Sequence, residues 1–166
     1  MIVEGVERFA LLEGLTPEES DAIVRRSTVT SVKKGAKVFE AGEDASALFL
    51  VRSGKIELRF KMEYLNGLLE VPLETIEEGG VCGWSAMIPT HTYTLTARAT
   101  EDAVLLRIHK TDLRNLGETN PRLGYIVMKN VARIIGERYE LFHRMLIGEI
   151  QRDLKRKQSK ALWKDE

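Results

Sequence analysis

Hydrophobic and polar positions change their spacing twice along the chain. Before Ser27 the pattern is helical: Thr16 can cap a helix, Pro17 suits its first position, and Glu19 stands where a capping box wants a carboxylate. Leu15, Ala22 and Ile23 are expected to form the buried side of that short helix. From Ser27 the period falls to two, and strand-type runs cover residues 28–32, 37–40, 48–52, 56–64, 68–76, 92–99 and 103–108. Most of these runs end at glycine: Gly35, Gly42, Gly54, Gly67 and the pair Gly79-Gly80. Gly35, Gly42 and Gly54 fall where a tight reversal calls for a positive φ. The Asn66-Gly67 pair between two apolar runs predicts a hairpin. Short strands at regular spacing, punctuated by glycine, predict a closed all-β sandwich or barrel.

The second change comes after Ile108. Thr111 or Asp112 can cap a short helix, which Asn120-Pro121 must end. Beyond Pro121 the residues Met128, Val131, Ile135, Tyr139, Phe142, Leu146, Ile150 and Leu154 recur every three or four positions, which predicts one long amphipathic helix. The expected architecture is mainly β with flanking helices. A single domain spans residues 1–166, with a helix and β-roll over 10–110 and C-terminal helices over 111–164.

Composition narrows the function classes. The chain has 166 residues, 43% of them hydrophobic, which suits one globular domain with its own core. Twenty-five basic residues balance twenty-five acidic ones, so no global field draws in nucleic acid or a membrane. The first fourteen residues carry acidic side chains where a signal peptide needs positive charge, and no apolar run is long enough for a bilayer. One cysteine, Cys82, excludes an intramolecular disulfide and a Cys-rich zinc site; it reads as a small core residue in a cytoplasmic protein. Three scattered histidines, no nucleophile motif and no metal-ligand spacing give no support for an enzyme or for a metal cofactor.

Several motifs follow one another in order. Leu15-Thr16-Pro17-Glu18-Glu19 is followed by Lys34-Gly35, then Gly42-Glu43, then the run from Leu48 through Ser53-Gly54-Lys55-Ile56. Gly79-Gly80, Gly83 and Arg98-Ala99-Thr100-Glu101-Asp102 continue the series. This series, covering roughly residues 10–140, resembles the cyclic-nucleotide-binding domain, the domain type of the catabolite activator protein and of the protein kinase A regulatory subunit. The resemblance implies a β jelly roll followed by a long C-terminal helix. It also implies a phosphate-binding cassette over residues 83–97, in which a short helix offers backbone N–H groups to a phosphate. In the family a Glu directly after the first glycine holds the ribose hydroxyl, and an Arg about ten positions on clamps the phosphate.

The spacing is kept here, but Trp84 stands at the Glu position and Tyr93 at the Arg position. A guanidinium offers phosphate a charged fork, whereas a phenol offers one neutral hydroxyl. Losing a buried charged partner costs about 2–5 kcal/mol of affinity, so weak or absent binding of cAMP and cGMP is expected. The candidate ligand-binding residues are Gly83, Trp84, Ser85, Ala86, Met87, Tyr93, Thr94 and Leu95. Three outcomes stay open for them: an amphipathic pocket for an apolar, planar or lipid-like ligand; a barrel plugged by its own rings; or a nucleotide held by an unconventional route. Arg98 reads as a strand-edge charge and His91 as a solvated loop residue. Thr94 is the hydroxyl that the family pattern would offer to an anion.

In the family the helix after the barrel pairs with its twin, so the resemblance implies a homodimer through residues 128–154. The DNA-binding members continue into a helix-turn-helix, which this sequence does not show. The basic stretch 152–164 reads as a solvated helix end, not a nucleic-acid contact. The expectation is a stand-alone regulatory ligand sensor for an unidentified small molecule. The alternative is a scaffold with a plugged pocket that assembles through its last helix.

Overall fold

In the computed structural model, which describes residues 8–162 apart from 66 and 90, the predicted capping box is complete. The Thr16 hydroxyl accepts from the Glu19 N–H at 3.3 Å, and the Glu19 carboxylate accepts from the Thr16 N–H at 2.9 Å. Helix α1 therefore spans Pro17–Val24. Its buried residues include Ile23 and Val24, while Ala22 and Leu15 are only half-buried. Glu19 is buried as well, and its carboxylate also receives Asn120 Nδ2 at 3.1 Å and the Arg122 guanidinium. A carboxylate with this many donors satisfies its charge locally, and its pKa is lowered, first by the Thr16 backbone bond and then by Arg122.

Eight strands follow: β1 (Thr28–Val32), β2 (Lys37–Phe39), β3 (Ala47–Ser53), β4 (Ile56–Tyr64), β5 (Gly67–Ile76), β6 (Val81–Cys82), β7 (Thr96–Ala99) and β8 (Ala103–His109). They form two four-stranded sheets in the orders β1-β8-β3-β6 and β2-β7-β4-β5, with every pairing antiparallel. This is the predicted jelly roll. Strand β3 shows why alternation is muted in its middle. Ala47, Phe49 and Val51 belong to the barrel core, while Leu48 and Leu50, on the opposite face, are buried too. Helices α1 and α2 (Lys110–Thr119) lie on the neighbouring strand β8, so this sheet is covered from both sides.

The structure revises four boundaries. The strand expected over 92–99 is sheet-paired only from Thr96, because Tyr93 bonds through its N–H to Glu43 O at 3.0 Å and through its carbonyl to Gly42 N at 2.8 Å. Those bonds tie residues 92–95 to the Gly42–Asp44 turn, where Thr92 bridges Asp44. The two-residue strand β6 was too short to stand out as a run. In the β4–β5 hairpin Tyr64 pairs with Gly67, so the connection is residues 65 and 66, one position earlier than the Asn66-Gly67 pair suggests. Leu65 takes a φ of 53°, and Asn66 lies outside the described residues. Gly35, Gly42 and Gly54 do hold positive φ, as their positions required. Lastly, α2 is capped neither by Thr111 nor by Asp112: strand β8 runs straight into it, and the extended His109 accepts the Thr111 N–H at its Nδ1.

The chain divides into two compact units, residues 1–131 and 132–166. Asn120 is extended and Pro121 opens helix α3, Pro121–Leu162, which begins in the first unit. There it buries Leu123, Val127 and Val131, and the Asn130 amide donates to the carbonyls of Leu11 and Glu13, both at 2.8 Å. Met128 is not on this buried face and is 43% exposed. In the second unit the same helix leaves Tyr139 and Leu146 exposed at 67% and 58%, together with Met145, Ile150 and Leu154. Among the described residues no helix is long and apolar enough to cross a membrane.

Candidate functional site

The cassette begins where β6 ends. Gly83 has φ 79° and ψ 19°, and a Cβ on it would lie 3.0 Å from Ala47 O, 3.2 Å from Phe49 Cδ2 and 3.3 Å from Tyr93 Cε1. Only glycine satisfies both the left-handed backbone and that crowding. A 3₁₀ turn, Trp84–Met87, follows directly; Ser85 and Ala86 are buried, and Trp84 and Met87 are half-buried.

Tyr93 turns into the barrel and is 5% exposed. Its hydroxyl donates to Ala47 O at 2.6 Å and accepts from Ala47 N–H at 3.3 Å, so both functions of the phenol are used on one backbone residue. Its ring stacks on Phe39 with centroids 3.9 Å apart and planes 17° apart, and Phe39 in turn lies 5.6 Å from Phe49. Burial raises the Tyr93 pKa, opposed in smaller measure by the Ala47 bond and the charge of Arg107, so the phenol is neutral. A single apolar core includes Tyr93, Phe39, Phe49, Ala86, Ala97 and Cys82, with Leu95 packed against it.

The predicted residues therefore separate. Gly83, Ala86, Tyr93 and Leu95 meet in or beside the barrel core, whereas Thr94 is exposed. Met87 and Ala86 also line a cleft of about 450 Å³ outside the barrel. His91 lines the same cleft and corrects the solvated-loop expectation. It is half-buried, takes a φ of 46°, and its Nδ1 is buried with no hydrogen-bond partner among the described residues. Sequence reasoning missed Phe39, on which Tyr93 stacks, and Phe49, which stacks on Phe39 in turn. The signal available was strand phase, since Phe49 alternates with the small core residues Ala47 and Val51.

Arg98 on β7 and Arg107 on β8 have partners of their own. Arg98 donates to Gly35 O at 2.7 Å and pairs with Glu70 at 3.5 Å. Glu70 in turn pairs with Arg59, and Arg59 with Glu57, while in a separate group Lys37 and Lys61 hold the Glu40 carboxyl down to about 2. Arg107 reaches Ser46 Oγ at 3.4 Å. Cys82 is fully buried. Among the described residues no three His, Cys, Asp or Glu side chains gather into a metal-binding group.

Comparison with known proteins agrees with this fold. The sequence profile of the cyclic nucleotide-binding domain matches residues 29–120. Glutaminase 1 of Bradyrhizobium diazoefficiens is 28% identical over 128 residues, which are 77% of this chain but only 20% of that enzyme. The Thermus thermophilus catabolite activator protein is 27% identical with a TM-score of 0.66, over 87% of this chain and 62% of that one. A cyclic nucleotide-binding domain from Methylobacillus flagellatus superimposes with a TM-score of 0.75 at 18% identity, over 89% of this chain and 82% of that one.

Proposed function

Because the chain belongs to the cyclic nucleotide-binding domain family, we propose that it is a cytoplasmic, non-enzymatic regulatory module whose barrel takes cAMP and cGMP weakly or not at all. The observation that supports this is the Tyr93 side chain. The ring stands at the cassette position where the family carries its phosphate-clamping arginine, stacked on Phe39 and hydrogen-bonded twice to Ala47. A phosphodiester entering there would have to displace the stack and would find no guanidinium in return. Trp84, in place of the ribose-holding carboxylate, removes the second anchor. Gly83, Ala86, Tyr93 and Leu95 are thus assigned to closing the barrel, with Gly83 admitting the rings of Phe49 and Tyr93.

Calorimetry with cAMP and cGMP, extended by a thermal-shift screen of other anions and apolar metabolites, tests this. Neither nucleotide is expected to bind more tightly than about 100 μM, equivalent to roughly −5.5 kcal/mol. Tight, stoichiometric capture of either one overturns the proposal. The filled barrel also favours a second reading, a scaffold with no ligand at all. That reading gains if the whole screen leaves the melting temperature unmoved.

Output is assigned to α3, as a homodimer contact. Ile135, Tyr139, Phe142 and Leu146 recur at spacings of four, three and four, a heptad-like seam, and Tyr139 and Leu146 are exposed. Large apolar side chains repeated along one helix face call for a partner, and a second copy of the same helix offers a matching seam. Sedimentation velocity at tens of micromolar is expected to show a dimer, with Tyr139→Glu plus Leu146→Glu giving a monomer. A sharp monomer of the unmodified chain ends this assignment.

A further inference from the structure

A regulatory module whose barrel is filled needs its input elsewhere, and the 450 Å³ cleft opens beside the cassette turn. Its walls come from three elements: the Trp84–Met87 turn, α2, and the first turns of α3. We propose that this cleft binds a small amphipathic carboxylate, an apolar body with one singly charged head. This rests on the regulatory reading above and names the ligand class of that module.

The chemistry of the lining carries the proposal. Met87, Leu113, Val127 and Met128 supply apolar surface of a kind that suits a hydrocarbon or ring. The charged lining is mainly basic, with Lys110 and Arg114 against Glu118. Lys110 is already engaged, by Ala45 O at 3.2 Å and Asp44 at 3.6 Å. The Arg114 guanidinium has no ion-pair partner among the described residues. One available guanidinium matches one singly charged head, and a carboxylate meets its fork at two points. His91 belongs to the same lining and adds a polar ring beside the head. The volume falls in the range of small-molecule sites.

The location also gives the ligand something to report. Met87 belongs to the cassette turn and Met128 to α3, so an occupant touching both links the turn to the output helix. Near them α2 meets α3 at Gly117 and Gly124, where a Cβ on Gly124 would lie 2.9 Å from Gly117 Cα. Backbone contact this close leaves the two helices little freedom to slide independently.

Methyl-labelled methionine spectroscopy tests the site on the full chain, with octanoate as the carboxylate probe and octanol as its uncharged counterpart. The Met87 and Met128 methyl resonances are expected to shift saturably with octanoate, while those of Met62 and Met145, outside the cleft, stay in place. Octanol is expected to bind at least about tenfold more weakly, and Arg114→Gln to weaken octanoate by about tenfold. Arg114 is exposed, so that variant keeps its fold. Silent Met87 and Met128 methyls, equal affinity for octanol, or an unaffected Arg114→Gln protein each overturn the site. None of these results bears on the filled barrel, which cyclic-nucleotide capture and substitution of Tyr93 test separately.

Discussion

The double variant Tyr93→Arg with Trp84→Glu is expected to lose about 3–5 kcal/mol of stability in the absence of nucleotide, the typical cost of a buried charge left uncompensated. The reason lies in what surrounds Tyr93. Its ring contacts Phe39 at 3.9 Å between centroids, and its hydroxyl is bonded to the Ala47 backbone, so an arginine there exchanges stacking and two hydrogen bonds for a guanidinium among rings. Against a typical domain stability of about 5–15 kcal/mol, that loss moves the urea midpoint far down. Adding cAMP should recover part of it, since a phosphate is the partner the guanidinium lacks and ligand binding to the folded state alone is stabilising. Urea denaturation with and without cAMP reads both effects. A nucleotide-free variant within about 1 kcal/mol of the parent would mean that position 93 is open to water and the barrel is not closed. Failure of cAMP to restore any stability would place the obstacle in the shape of the barrel, with Phe39 the first suspect.

Gly124→Ala is expected to destabilise the protein by about 1–3 kcal/mol, whereas Gly136→Ala on the same helix should stabilise it by about 0.5–1 kcal/mol. Both substitutions gain the same helix propensity. They differ in surroundings: a Cβ on Gly124 meets Gly117 Cα at 2.9 Å and Gly117 O at 3.3 Å, while a Cβ on Gly136 meets nothing within 4 Å. Backbone atoms cannot rotate away as a side-chain tip can, so α2 and α3 must part at their crossing. Chemical denaturation of the two variants should therefore give opposite signs. A stabilised Gly124→Ala protein would show that the crossing is loose, and would weaken the role given to it in transmitting ligand occupancy.

Parts of the molecule were legible before any coordinates. The Thr16–Glu19 capping box, the Asn120-Pro121 break and the strands β1, β4 and β8 follow from residues within a few positions of one another, and local chemistry does not depend on what packs later. The glycine positions were legible for the same reason, since a reversal with positive φ is a local demand. Residues 92–95 read as strand because their alternation is that of a strand. Their hydrogen bonds nevertheless go to Gly42 and Glu43, some fifty positions earlier, and no local pattern encodes that choice.

The candidate site divides along the same line. The sequence alone established that the family's acidic and guanidinium anchors are replaced by Trp84 and Tyr93, because residue type and spacing are properties of the chain. It could not say whether the two rings line a pocket or fill it. The place of Tyr93 was set in three dimensions, by Phe39 and the Ala47 backbone meeting it from strands β2 and β3. Helix α3 teaches the same distinction: periodicity marked an apolar stripe in which Val131 is buried but Met128, Tyr139 and Leu146 are exposed, while Leu123 and Val127, outside the stripe, are buried too. Two apolar faces on one helix look alike in sequence, since period alone fixes which residues share a face. Which face is buried depends on the shape of the surface it meets, and that surface exists only once the barrel has closed.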